Sequence, residues 1–222
     1  MLKKQSLRFL SELNKNNNRQ WFEDNRFWYD ETKADFEKLV SKIIQGISRF
    51  DSDIVNLEVK NCTFRQYRDV RFSKDKRPYK TNMGAYFNKG GKKRNTAGYY
   101  FHFEPGKNMM AAGLWMPESK ELAKVRQEID YNFDEWKMIL NNPSLRKNFS
   151  ESLSTTDSLK RPPKNYDETN PAIEHLRLKS FIISKKIDDA ELLLPNLDKQ
   201  LIQGYKTLKP FINFLNRELV ES

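Results

Sequence analysis

Apolar residues recur at helical spacing through the first fifty positions. Leu2, Phe9, Leu10 and Leu13 make one short amphipathic helix that stops at the asparagine-rich Asn14-Lys15-Asn16-Asn17-Asn18. Asn17 reads as the N-cap of the next helix, with Gln20 three residues on completing a capping box. From there Trp21, Asn25, Trp28, Thr32, Phe36, Leu39, Ile43 and Ile47 hold the helical period to about Ser48. At that spacing Trp21, Phe22, Trp28 and Tyr29 belong to a core rather than to a base-stacking surface.

The period then changes. Residues 82–88, 97–104 and 109–116 are short aromatic-rich runs, divided by Gly90-Gly91 and by Pro105-Gly106-Lys107-Asn108. Those dividers are turn chemistry, which predicts three antiparallel strands in a meander. In the middle run Tyr99, Phe101 and Phe103 take one face, and Tyr100, His102 and Glu104 the other. Helices resume over 118–131, at Asn132, where Glu135 would close another capping box, and at Asn142-Pro143. Residues 155–169 form a polar loop containing prolines, and Asn170-Pro171 opens a short helix. Phe181, Ile183 and Lys185 then alternate with Ile182, Ser184 and Lys186 as a strand returning from far away in sequence. A last helix over 197–219 contains Pro210, which would kink or divide it.

A strand that returns after a long helical stretch ties both halves to one sheet. The expected architecture is a single α+β domain over residues 1–222. Its antiparallel sheet would have about four or five strands, with helices from both the N- and C-terminal parts packed on it. Residues 1–50 would be helical, 63–117 would hold a basic segment and the meander, and 118–222 would be mainly helical, with the returning strand near 180–187.

Composition narrows the function classes. A chain of 222 residues buries about 70% of its unfolded surface and needs no covalent staple. Cys62 is the single cysteine, which excludes an internal disulfide and a cysteine-rich metal site; it reads as a small core hydrophobe. The two histidines, His102 and His175, have no carboxylate cluster at ligand spacing, so no metal is expected. No Walker-type loop, Rossmann fingerprint, nucleophile elbow or zinc-protease helix is present, and no cofactor is expected. No apolar run reaches the roughly 18 residues of a membrane span and no signal-peptide core opens the chain, so a soluble cytoplasmic protein is expected.

Charge changes the picture more than composition does. The chain carries +10, and residues 63–94, with eleven Lys or Arg against two Asp, account for +9 of it. The densest part, residues 67–80, mixes six basic residues with Tyr67, Phe72, Tyr79 and Pro78. Read as extended, it puts Arg65, Tyr67, Asp69 and Arg71 on one face and sends Phe64, Val70 and Phe72 toward the core. Read as a helical turn over 66–72, it brings Arg68 to Phe72, or Asp69 to Ser73, four apart. The pattern does not choose between them, but both hold two arginines close to an aspartate, which fixes an arginine's orientation.

Ser73 could cap a turn running to Arg77, and basic side chains beside free backbone N–H groups suit a phosphate. Candidate ligand-binding residues are therefore Arg65, Arg68, Arg71, Ser73, Lys74, Lys76, Tyr79 and Lys80. Asp69, Asp75 and His102 are the candidate proton handlers, although a hydrogen-bonded structural role is the plainer one for His102. The competing structural reading makes Arg68, Asp69 and Arg71 a buried ion-pair network that supports the connection. Lys89, Lys92, Lys93 and Arg94 lie on a glycine-rich hairpin tip and read as solvated.

Several stretches resemble a known family, the "domain of unknown function 2461". They are Phe9-Leu10-x-x-Leu13, Asn17-x-x-x-Trp21-Phe22, the run from Tyr67-Arg68-Asp69-Val70-Arg71-Phe72 through Pro78-Tyr79-Lys80, and Tyr99-Tyr100-x-His102. Gly113-Leu114-Trp115-x-Pro117, Leu159-Lys160-Arg161-x-Pro163-Lys164 and Pro210-x-x-x-Phe214-Leu215-Asn216 complete the resemblance. It implies one α+β domain and brings no activity with it.

Three functions stay open on the residues. The first is a phosphate-bearing or other anionic small molecule held in a fixed Arg/Lys pocket. The second is a nucleic-acid-binding module using residues 63–94, whose distinguishing sign would be Tyr or Phe exposed beside the cations. The third is an interaction protein that docks its basic face on an acidic partner. No reaction class is implied by any of them.

Overall fold

The computed structural model describes residues 1–92, 94–149 and 153–219. Three helices open the chain: α1 (Lys4–Lys15), α2 (Arg19–Asp24) and α3 (Arg26–Ile47). Phe9, Leu10 and Leu13 bury one face of α1, and Phe36, Leu39, Val40, Ile43 and Ile47 one face of α3. The cap of α2 is Asn18, whose side chain accepts from Trp21 N at 2.9 Å. Asn17 makes a different contact, and Gln20 turns to Asp24, so the capping box expected there does not form. The helix expected to run unbroken from Trp21 is interrupted at Asn25. Its side chain donates to the Trp21 carbonyl at 2.8 Å, the local bonding by which asparagine competes with a helix.

After a short helix α4 (Val59–Cys62), the meander follows as β1 (Met83–Phe87), β2 (Gly98–Phe103) and β3 (Met109–Leu114). Then come α5 (Ser119–Tyr131), α6 (Phe133–Leu140), α7 (Pro143–Asn148) and α8 (Ile173–Leu176). Asn142 caps α7 through Ser144 N and Leu145 N, with Pro143 at its first position. Asn132 caps nothing: its side chain bonds Glu128 and Glu135 pairs with Arg217, which removes the second expected capping box. The returning strand is β4 (Phe181–Lys186), followed by α9 (Asp189–Leu192) and α10 (Leu197–Asn216). Pro210 lies inside α10, which continues through it, with Tyr205, Leu208, Phe211 and Leu215 buried on either side. Among the described residues no helix is long and apolar enough to cross a membrane.

The sheet has four strands in the order β1-β2-β3-β4, every pair antiparallel, so the fold is α+β with β4 closing one edge. Helices α3 and α10 cover one face. Phe36 stacks 6.1 Å from Phe101 and 6.2 Å from Phe103, and the Tyr205 ring lies 5.2 Å from Tyr99. The Tyr205 hydroxyl donates to the Tyr100 carbonyl at 2.8 Å, which satisfies a phenol that burial holds in its neutral form. The outer face runs in cross-strand rows: Gly84, His102, Met109, Lys186, then Tyr86, Tyr100, Ala111, Ser184, then Gly98, Gly113, Ile182. Tyr86, Tyr100, His102, Met109, Ile182 and Ser184 are half-buried there and Lys186 is exposed.

Gly113 sets how closely β3 and β4 approach. Its φ is 137°, and a Cβ there would overlap the Phe181 carbonyl oxygen. Gly113→Ala therefore meets both backbone strain and a backbone clash that no rotamer change relieves. The expected loss is about 3 kcal/mol or more, seen as a lower urea midpoint with early loss of β4 amide protection.

Candidate functional site

The basic segment folds as an arm, matching neither of the two conformations open on the sequence. Lys80 N donates to the Gln66 carbonyl at 2.8 Å, Arg68 N donates to Pro78 O at 2.9 Å, and Tyr67 bridges Tyr79. Two short antiparallel legs thus carry an irregular tip over residues 69–77. The arm's base is fixed from the core. Tyr79 is buried and stacks on Phe22 with ring centroids 3.9 Å apart. The Asn17 amide accepts from Tyr79 N at 3.1 Å and donates to Tyr79 O at 3.0 Å, which is the contact that displaces it from capping α2. Buried Gln66 donates to the carbonyls of Lys80 and Asn82. Tyr79 is therefore part of the core, out of reach of a surface ligand.

At the tip, each aspartate organises a turn and an arginine together. Asp69 accepts from Arg71 N at 3.2 Å, Nε at 3.0 Å and Nη2 at 2.6 Å. Asp75 accepts from Arg77 N at 3.0 Å and Nη2 at 2.8 Å, and pairs with Arg68 Nη1 at 2.7 Å. The buried Arg68-Asp69-Arg71 network is thus replaced by the solvent-accessible Asp69-Arg71 pair and a separate Arg68-Asp75-Arg77 cluster; the Arg71 side chain is 76% exposed. Asp75 rather than Ser73 caps the final turn, and Ser73 contributes its N–H to the Val70 carbonyl. Lys76 Nζ donates to Val70 O at 3.0 Å. Arg65 and Lys74 are exposed and have no carboxylate partner among the described residues. The Arg71 hydrogen bond lowers Asp69 and the Arg77 hydrogen bond lowers Asp75 further, so both stay ionised and neither stores a proton for general-acid work.

Aromatic side chains accompany the cations outward. Phe72 is 96% exposed, Tyr67 47% and Phe64 42%, which corrects the expectation that Phe64 and Phe72 face the core. The Arg71 guanidinium lies 5.8 Å from the Phe72 ring and the Lys80 ammonium 5.4 Å from the Phe64 ring. Burial, with Arg65 and Lys92 nearby, pushes the Lys80 pKa down. The glycine-rich tip beyond β1 is solvated in part: Arg94 is exposed, while two of its lysines are engaged. Lys92 Nζ donates to the carbonyls of Lys60 and Thr63, and Lys89 pairs with Asp53 at 3.8 Å. Lys93 lies outside the described residues. Burial pushes the Cys62 thiol beneath this tip up to about 12, which leaves it an inert core group.

The outer sheet face meets the arm through Asn82, which reaches to 3.3 Å from the His102 ring. Glu104 sits 3.1 Å from His102 Nε2, and because a carboxylate only accepts, Nε2 carries the proton. Nδ1 then accepts the Tyr100 O–H at 2.9 Å. Gly84 makes room for this: a Cβ there would lie 2.7 Å from the Tyr100 hydroxyl oxygen. Both His102 nitrogens are occupied, so the ring locks the row rather than standing free as a base. The sequence placed Tyr100, His102 and Glu104 together, but it missed the anchors Asn17 and Gln66 and the 68% exposure of Trp115 at the end of β3. Strand alternation beyond Leu114 was the available signal for Trp115.

An α+β domain that holds a cationic, aromatic arm beside a half-buried sheet face is the class this chain defines. The chain belongs to the family described as conserved hypothetical protein (DUF2461), whose model matches residues 5–214. No curated protein and no solved structure matches it.

Asn17→Ala removes both bonds to the Tyr79 backbone. It should cost about 1–3 kcal/mol in urea unfolding and speed amide exchange at Arg68 and Lys80 beyond that global loss. Glu104 supplies a pH test. Burial by itself raises its pKa, but hydrogen bonds from His102 and Thr81 with the Lys107 charge outweigh that and leave it below 4.5. A carboxyl depressed in the folded state stabilises it above the unfolded pKa and loses that contribution as pH falls through the folded one. The urea midpoint should therefore drop below about pH 4.5, and the difference between wild type and Glu104→Gln should shrink over the same interval.

Proposed function

We propose that this protein binds nucleic acid through the arm of residues 64–80. The supporting observation is the pairing of exposed rings with cations: Phe72 with Arg71, Phe64 with Lys80, and Tyr67 on the adjoining leg. Cations alone fit any polyanion. Rings held out of the core beside them suit a ligand that has both phosphates and flat apolar faces. Seven Lys or Arg against two Asp in this segment give the arm a net charge of +5.

A fixed small-molecule pocket has less support. Arg68 and Arg71 direct their guanidinium groups at Asp75 and Asp69, on a tip that projects into solvent. Two cavities of about 300 and 370 Å³ lie away from the arm, the first lined by Arg146, Ser158 and His175 and the second by Lys185, Gln200 and Gly204. An acidic protein partner would satisfy the charge, but bases supply a flat apolar face with every phosphate, which fits rings and cations that alternate along one segment.

Titration of a labelled oligonucleotide at several salt concentrations tests the reading. Affinity should fall linearly on a log–log plot, and Arg65→Ala or Lys74→Ala should each reduce the slope by about one. Phe72→Ala should weaken binding about tenfold at unchanged slope, because it removes stacking without charge. Absence of binding at low salt would refute the proposal.

A further inference from the structure

We infer that the ligand is single-stranded, and that it continues from the arm across the outer sheet face to Trp115. This inference rests on the nucleic-acid reading above and adds a second, uncharged half to the site. Thr63 bridges Ala85, a core residue, so alternation brings Phe64 out beside Gly84 on the outer face. At the far end of β3, Leu114 is buried and Trp115 follows it onto the outer face. The turn that presents Trp115 is a constrained one. Met116 has φ 41°, uncommon for a residue with a side chain, and its N–H donates to Ser180 Oγ at 2.9 Å. A large ring 68% exposed on a strained, hydrogen-bonded turn is held where it is by the fold.

Between the two exposed rings the floor is made by half-buried side chains, Tyr86, Tyr100, His102 and Ser184. Gly84, Gly98, Ala111 and Gly113 are buried: the Tyr100 hydroxyl fills the space over Gly84, and the Tyr86 hydroxyl donates to Gly113 O at 3.1 Å. By strand spacing and rise, Phe64 and Trp115 stand about 20–25 Å apart across this floor. That length matches the several-nucleotide sites that stacking platforms use. A duplex hides its base faces in its own stack, so the exposed rings at the two ends of this floor have nothing to stack on in double-stranded nucleic acid. The occupant is chosen by charge and ring together: phosphates at the arm, unpaired bases along the face.

The test compares labelled oligothymidylate and oligouridylate of about twelve nucleotides with a duplex of equal length, using the whole chain. The single strands should bind at least about tenfold tighter than the duplex. Trp115→Ala should weaken single-strand binding about tenfold while leaving duplex affinity and the melting temperature unchanged. Ser184→Glu, which sets a negative charge on the floor, should act the same way. If both strand forms bind equally and neither variant changes affinity while Phe72→Ala does, the track is refuted and arm binding stands. If nothing binds at low salt, the arm reading fails and the track fails with it.

Discussion

Everything in this fold depends on the two-residue alternation of β2. Tyr99, Phe101 and Phe103 point one way and meet α3 and α10; Tyr100, His102 and Glu104 point the other way. A slip of one residue would exchange the two sets, placing a histidine and a glutamate under the helices and three large rings in water. Burying an aromatic side chain is worth roughly 1.5–3 kcal/mol, and burying an unpaired carboxylate costs more than that. The register is therefore strongly specified, and the outer face inherits its polar row as a consequence. Tyr205 reinforces the choice by donating to the Tyr100 carbonyl from the helix side.

Two asparagines carry that order to the segments outside the sheet. Asn17 brackets the backbone N–H and C=O of Tyr79, and Asn216 brackets those of Ala97 at 2.8 and 3.0 Å. An amide presents one donor and one acceptor side by side, so it pairs with an extended residue much as a neighbouring strand would. Asn17 fixes the strand-side leg of the arm to the first helices, and Asn216 fixes the entrance of β2 to the last helix. Each satisfies backbone groups that would otherwise be left unpaired, at places where no strand could reach.

This explains what could be read along the chain and what could not. The meander, its turns, the returning β4 and the two faces of β2 follow from periods and turn residues, which are local properties. The capping boxes at Asn17 and Asn132 fail because a cap is local while the partners that break each box are not: Tyr79 lies 62 positions from Asn17, and Arg217, 82 positions from Glu135, takes the glutamate that the second box required. The arm was undecidable for the same reason. Its conformation is imposed by cross-pairing of 66 with 80 and 68 with 78, together with the stack of Tyr79 on Phe22, none of which leaves a periodic trace. The run of basic residues was legible as composition, while the exposed rings beside it were not, because a Phe in a mixed segment reads first as core.

The aspartates of the arm complete the argument. Exposed ion pairs contribute about 0–1 kcal/mol to stability, so Asp69-Arg71 and Asp75-Arg77 add little to the fold. Their effect is on shape. Each aspartate accepts a backbone N–H two residues ahead and fixes the same residue's guanidinium, closing a turn and aiming a side chain in one motif. The two pairs stand on either side of Phe72, Ser73 and Lys74, which keeps the most exposed ring of the chain at the summit of a defined tip instead of letting it collapse onto the core. Under the proposed function, geometry fixed in this way lowers the ordering cost of binding. It also accounts for two acidic residues in a segment of net positive charge: the arm gives up two units of charge and gains a fixed geometry for the cations and rings that remain.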